Sequence, residues 1–211
     1  MSAIRRHGYA TASDRIGLKA AGRLKCYCYM ENLHQLLLQR HSIRRYTDAP
    51  VAADDVRTIL EAALLSPSSK SVRPWQFVVV EDKEMLARLA ACKPAGAAPV
   101  AGCAFAVVVT ASPEKSECWL EDASIAAEMM QLQACDLGIG SCWVQVLGRS
   151  TADGELSEDF VQEALDIPPY YKVVCIMTFG YKNEERRPVD PSKLLWEKVH
   201  IGRWSESQAA E

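Results

Sequence analysis

MMQLQACDLGIGSCWVQV, residues 129–146, joins two kinds of local order across a glycine turn. Its first half closes a long helical segment expected over residues 117–137. Gly138 is a natural stop, because glycine enters the left-handed region at little steric cost. Gly140 then leads into SCWVQV, a β-branched and aromatic run of strand type. Outward from this junction the same alternation continues. Downstream, a helix is expected around residues 155–165 and a strand over 171–180. Upstream lie a strand over 104–110, an Ala/Gly/Pro linker, a helix over 83–92 and a strand, WQFVVVE, over 75–81. Periodicity alone goes no further than alternating helices and strands.

Closer to the N-terminus, Leu33, Leu36, Leu37 and Leu38 are expected to share one face of a helix. Asp54 or Ala53 opens another helix with Val56, Ile59, Leu60, Ala63 and Leu64 turned inward. Residues 1–29 are read as a disordered or non-native extension, and residues 30–211 as one domain ending in a charged, proline-punctuated arm after Gly180. With 49% apolar and 24% charged residues in a chain of 211, the composition is that of an ordinary globular protein. No apolar run approaches the roughly 20 residues of a membrane-spanning helix.

The net charge of −3 hides an asymmetry. Residues 1–29 hold six Lys or Arg against Asp14 alone, which leaves 18 basic and 26 acidic residues, a net of −8, in the remainder. An acidic body argues against nucleic acid as a partner, since phosphate contacts require a basic face. Eight cysteines, without a Cys-x-x-Cys pair and mostly inside apolar runs, read as small buried hydrophobes suited to a reducing cytoplasm. Their spacing matches no metal site. Cys142 has no cation beside it in sequence that would make it a reactive thiolate.

Four short stretches carry candidate chemistry. Arg40, His41, Ser42, Arg44 and Arg45 crowd together after the first helix and could clamp an anion, or form a solvated basic loop. Pro67, Ser68, Ser69 and Ser71 bring small hydroxyls and backbone amides before the strand at Trp75, or simply make a turn. Gly138 and Gly140 in DLGIGSCWVQ allow the backbone to approach a flat ring, or are an ordinary helix stop, and the three-glycine dinucleotide fingerprint is missing. Arg186 and Arg187, in EERRP, offer charge to a phosphate or pair with Glu184 and Glu185.

In their succession, RHSIRRYTDAPV, SPSSKSVRPWQFVVV, LGIGSCWV and EERRP resemble the nitroreductase family of FMN enzymes over residues 30–204. The resemblance implies an α+β sandwich whose mostly antiparallel central sheet is flanked by helices, in an intertwined homodimer with a long interfacial helix. It implies that Arg40, His41, Ser42 and Arg44 of one subunit grip FMN, with Arg40 and Ser42 at phosphate or ribityl oxygens and Arg44 at the pyrimidine end. Pro67, Ser68, Ser69 and Ser71 would come from the other subunit. Trp143, Val144 and Gln145 would pass near the ring, and Arg186 or Arg187 would return to the phosphate. NADH or NADPH is the implied electron donor, and a small organic molecule such as a nitroaromatic or quinone the acceptor, by a ping-pong mechanism. Flavin binding without turnover, and a different FMN-dependent oxidation or reductive cleavage, are the alternatives. Two positions depart from the family pattern: Ser71 stands where asparagine is common, and Arg73 where glutamine is common.

Overall fold

A computed structural model describes residues 33–204, so the expectation for residues 1–29 falls outside the described residues. Four strands, β1 (Trp75–Val80), β2 (Phe105–Ala111), β3 (Ile139–Gln145) and β4 (Lys172–Tyr181), form one sheet in the order β1-β2-β4-β3. Every neighbouring pair is antiparallel. Helices α1 (Leu33–Gln39), α2 (Ala53–Leu64) and α5 (Trp119–Asp136) lie on one side. Helices α3 (Lys83–Leu89), α4 (Ala98–Gly102) and α6 (Ser157–Ala164) lie on the other.

This layering explains the sequence of the central strands. In β2, Phe105, Val107, Val109 and Ala111 enter the core beneath α2 and α5, whereas Ala106 and Val108 enter the core beneath α3, α4 and α6. With both faces covered, FAVVVTA has no reason to alternate apolar with polar residues, and all of it is buried. The register slips between Val109 and Thr110, whose partners on β4 are Cys175 and Val173. Val174 is the extra residue, and such a bulge twists the strand locally.

Helix α5 packs closely because small side chains face the sheet: Ala123, Ala126, Ala127 and Ala134 are fully buried with Met130. It ends as expected at Gly138, whose φ is +75°. On the outer side of α5, Ile125 and Met129, one helical turn apart, remain 40% and 38% exposed.

Several expectations need correction. Of the four leucines assigned to the inner face of the first helix, Leu36 alone is buried; Leu33 and Leu37 are 59% and 47% exposed, and Leu38 is half-buried. In α2 Val56, Ile59 and Ala63 are buried and Leu60 packs partly buried beside them, as expected, while Leu64 points outward. The Ala/Gly/Pro linker contains α4, since Pro99 sits in the first turn, where its missing N–H costs nothing. The helix expected to reach Cys92 tightens into a 3-10 turn after Leu89. Cys92, Cys103, Cys142 and Cys175 are buried as expected, but Cys118 is exposed and Cys135 half-buried.

Candidate functional site

Residues 40–47 leave α1 and run beside the sheet. Ser42 bridges Ser141 in parallel, and the Ile43 N–H donates to the Ser141 carbonyl at 2.8 Å. Tyr46 bridges Lys182 in the antiparallel sense, Thr47 N–H donates to Tyr181 O at 2.9 Å, and Asn183 N–H donates to Arg45 O at 2.9 Å. The loop is therefore laced to β3 on one side and to the beginning of the C-terminal arm on the other.

Tyr46 anchors it from below. Its buried hydroxyl lies 2.6 Å from the Ile43 carbonyl and 2.7 Å from Thr178 Oγ1. Burial holds the phenol far above its ordinary pKa, so it stays protonated. The ring covers Gly180, where a Cβ would stand 3.0 Å from Tyr46 Cδ1. Gly140 is equally confined: a Cβ there would lie 2.9 Å from Ile43 Cγ2 and 3.0 Å from Lys182 Cγ. Two glycines thus let the loop and the arm close onto the sheet.

Where loop, arm, β3 and the end of α5 meet there is a small, partly open recess. Arg40, His41, Lys182 and Arg186 line it, with Gly140 and Ser141 of β3 and Cys135 of α5 behind them. His41 Nε2 is buried and has no hydrogen-bond partner among the described residues. A buried polar atom without a partner costs roughly 1–3 kcal/mol, which a polar ligand in the recess would relieve.

Carboxylates balance part of the charge. Arg40 Nε is 3.8 Å from Glu128 Oε1, and burial raises the Glu128 pKa more than Arg40 lowers it. Arg186 donates to Glu184 Oε2 at 3.0 Å, while Arg44 N–H donates to Glu184 Oε1 at 2.6 Å. That backbone donor is the main reason the Glu184 pKa is lowered, with Arg186 and Arg45 adding to it against a desolvation penalty.

The serine turn lies elsewhere on the chain. Ser69–Ser71 form a 3-10 turn in which Lys70 and Ser71 take φ of 50° and 57°, and Arg73 just beyond it takes 52°, values rarely adopted by residues other than glycine. Ser68 Oγ accepts from Arg73 N–H at 3.0 Å. The buried Asp122 fastens the turn, accepting from Ser69 N–H at 2.8 Å and lying 3.4 Å from the Ser116 hydroxyl. Asp122 is near the start of α5 and Cys135 near its end. At 1.5 Å per residue, the two loops are held about 20 Å apart along that helix.

Among the residues singled out from sequence, Arg40, His41 and Arg186 therefore meet in one recess. Ser42 contributes backbone pairing beside it, and Arg44 is exposed at its side. Arg187 is exposed and does not line the recess. Pro67, Ser68, Ser69 and Ser71 are not brought to it within one chain. On β3, Trp143 Nε1 donates to Gln145 Oε1 at 2.8 Å and Gln145 Nε2 donates to Leu147 O at 2.9 Å, so the glutamine fixes the indole. Val144 points into the core at 1% exposure, leaving only its backbone to meet a ligand. Cys142 is buried, and desolvation raises its pKa in spite of opposing charges from Arg44 and Lys93, which disfavours a nucleophilic thiolate.

Sequence reading missed Lys182, Tyr46, Asp122 and the two-sided role of Glu184. Only the proximity of Glu184 to EERRP carried a signal, as a candidate for local pairing with Arg186, and that pairing is present.

A model of the Nitroreductase family matches residues 37–106 and 95–181. Over 180 residues the chain is 35% identical to an Archaeoglobus fulgidus protein whose name pairs NADH dehydrogenase with NAD(P)H nitroreductase; 83% of this chain and 100% of that protein are covered. An FMN-dependent nitroreductase from Clostridium difficile R20291 superposes with a TM-score of 0.79 at 42% identity, covering 81% of this chain and 99% of that one. A nitroreductase with bound FMN from Bacteroides fragilis NCTC 9343 gives a TM-score of 0.62 at 25% identity over 78% of this chain and 97% of that one.

Proposed function

The chain belongs to the nitroreductase family, and on that premise we propose that it binds FMN and passes electrons from NADH or NADPH to a small organic acceptor, a nitroaromatic or quinone. One observation carries the reading: Arg40, His41, Lys182 and Arg186 converge from distant parts of the chain on a single recess, with a buried imidazole nitrogen that has no partner among the described residues. This donor set fits a phosphate monoester. Arginine forks match its oxygens, a lysine adds charge, and imidazole supplies one further hydrogen bond.

Bound FMN would supply reversible two-electron chemistry, taking a hydride from the reduced nicotinamide and passing it to the acceptor in a ping-pong sequence. The protein's work is then binding and electrostatics. Arg40, His41, Lys182 and Arg186, with Arg187 nearby, hold the phosphate, and Ser42 faces the ribityl chain. Arg44 offers a fixed cation to the pyrimidine end of the ring, where it favours added negative charge. Trp143 and Gln145, locked together by their hydrogen bond, flank the ring with the Val144 backbone.

Pro67, Ser68, Ser69 and Ser71 join this site from a second copy of the chain in a homodimer. The span of α5 between serine turn and recess supports that arrangement, because one ligand does not readily reach both within one chain. The exposed Ile125 and Met129 on α5, and Trp196 and Trp204 on the arm at 69% and 81% exposure, supply apolar surface for such an interface.

The test is reconstitution of the full chain with FMN, followed by anaerobic addition of NADH or NADPH. A yellow, saturable complex that bleaches with either nucleotide and regains its colour with a quinone or nitroaromatic is expected. A chain that takes up no FMN refutes the reading, and uptake without bleaching by either nucleotide makes it a flavin binder. Arg44→Ala should lower the potential of bound FMN while the phosphate contacts retain it. An unchanged potential removes Arg44 from its role.

A further inference from the structure

We propose that Glu184 is a positioning residue: its carboxylate locks the basic loop to the C-terminal arm, so that Arg44 and Arg186 are presented together to FMN. The proposal rests on the FMN reading above. Loop and arm form a short antiparallel ladder through Tyr46 and Lys182, and through the Asn183 N–H to Arg45 carbonyl bond. Arg44 is the next residue along the loop. Its N–H has no carbonyl opposite and is taken instead by Glu184 Oε1 at 2.6 Å. The second oxygen, Oε2, accepts from Arg186 at 3.0 Å, with Arg45 Nε 3.9 Å away. The side chain is only 7% exposed although its neighbours on the arm are open to solvent.

One carboxylate thus ends the ladder, fixes the backbone that carries Arg44, and holds at the recess the guanidinium that lines it. Both bonds are charge-assisted, the class that most strongly restricts geometry. Holding an arginine with a carboxylate has an opposing effect, since it also competes with phosphate for the same fork. Positioning is the stronger of the two effects.

Glu184→Gln and Glu184→Ala separate these contributions. The glutamine keeps a carbonyl oxygen for the Arg44 amide but loses the ionic partner of Arg186; alanine loses both. For Glu184→Gln, an FMN dissociation constant about tenfold higher is expected, the size of one charge-assisted hydrogen bond, with the potential of bound FMN unchanged. In an Arg186→Ala background the same substitution should add less than twofold. For Glu184→Ala, the dissociation constant should rise at least as far and the potential of bound FMN should also fall.

Hydrogen exchange at the Arg44 amide in the FMN-free full chain gives a readout independent of flavin: protected in the parent and in Glu184→Gln, rapid in Glu184→Ala. An unprotected Arg44 amide in the parent overturns the proposal even if FMN binds. Tighter FMN binding by Glu184→Gln, or effects of Glu184→Gln and Arg186→Ala that multiply fully, overturns it as well. A parent chain that takes up no FMN refutes the functional reading and the cofactor half of the proposal, while the exchange data still decide whether Glu184 holds the loop.

Discussion

Gly140→Ala is a sharp test of how the recess is built. The added methyl would stand 2.9 Å from Ile43 Cγ2 and 3.0 Å from both Ile43 Cβ and Lys182 Cγ. Carbon atoms in good contact are about 3.5–4.0 Å apart, so the neighbours must yield by roughly 0.5–1 Å. Lys182 is exposed and can swing away; Ile43 is 3% exposed and tied by its N–H to Ser141 O, so it cannot move without its loop. Overpacking of this kind costs about 1–3 kcal/mol, which for a domain of this size lowers Tm by roughly 2–12 °C. Because Arg40 and His41 move with Ile43 while Lys182 is pushed the other way, FMN affinity should fall about tenfold, the worth of one charge-assisted contact. Thermal melts and titration of FMN fluorescence measure the two effects. Gly138→Ala is the control: nothing lies within 4 Å of its Cβ, but φ is +75°, so it should lose about 1 kcal/mol of stability with FMN affinity intact. Gly140→Ala with parental Tm and parental affinity would refute the reasoning.

Tyr46→Phe removes a buried hydroxyl from the Ile43 carbonyl and Thr178 Oγ1; a loss of about 1–3 kcal/mol is expected from urea unfolding, and an unshifted midpoint would show that the loop does not depend on it. Asp122→Ala leaves the Ser69 amide without its acceptor, and should cost a similar ~1–3 kcal/mol and speed hydrogen exchange at Ser69; Asp122→Asn, which keeps an acceptor oxygen, should do less, and equal effects would contradict this assignment. The depressed pKa of Glu184 gives stability that is fully present above the unfolded glutamate pKa of about 4.3 and drains away as the pH falls through the lower native value. The parent should therefore lose more stability than Glu184→Gln between about pH 5 and pH 3, and parallel curves would remove Glu184 from the acid transition.

What the sequence made legible depended on how far apart the interacting residues lie. FAVVVTA could be read as a buried strand because every residue reports the same environment. Gly138 could be read as a helix stop because the requirement is local. Gly140 was visible as a turn glycine, but its confinement is set by Ile43 and Lys182, which no local pattern connects to it. Lys182 is likewise an ordinary lysine after a strand until Tyr46 pairs with it. Helix α4 was hidden because Ala, Gly and Pro read as a break, although proline is accommodated in a first turn. The outward turn of Leu33 and Leu37 was hidden for a different reason: periodicity finds an apolar face without saying what that face meets. The resemblance brought the basic loop, the serine turn and the EERRP arm into one scheme, and the geometry then divided them between the two ends of α5.

That division has a genetic counterpart. If each flavin site of the proposed homodimer draws its recess from one chain and its serine turn from the other, lesions at opposite ends of α5 damage different halves of the site. Co-expressed chains carrying Gly140→Ala and Asp122→Ala would form mixed dimers in which one site inherits both defects and its twin inherits neither. Two crippled alleles would then rescue each other with one sound site in every mixed dimer, a stoichiometry that a pocket confined to one subunit cannot produce.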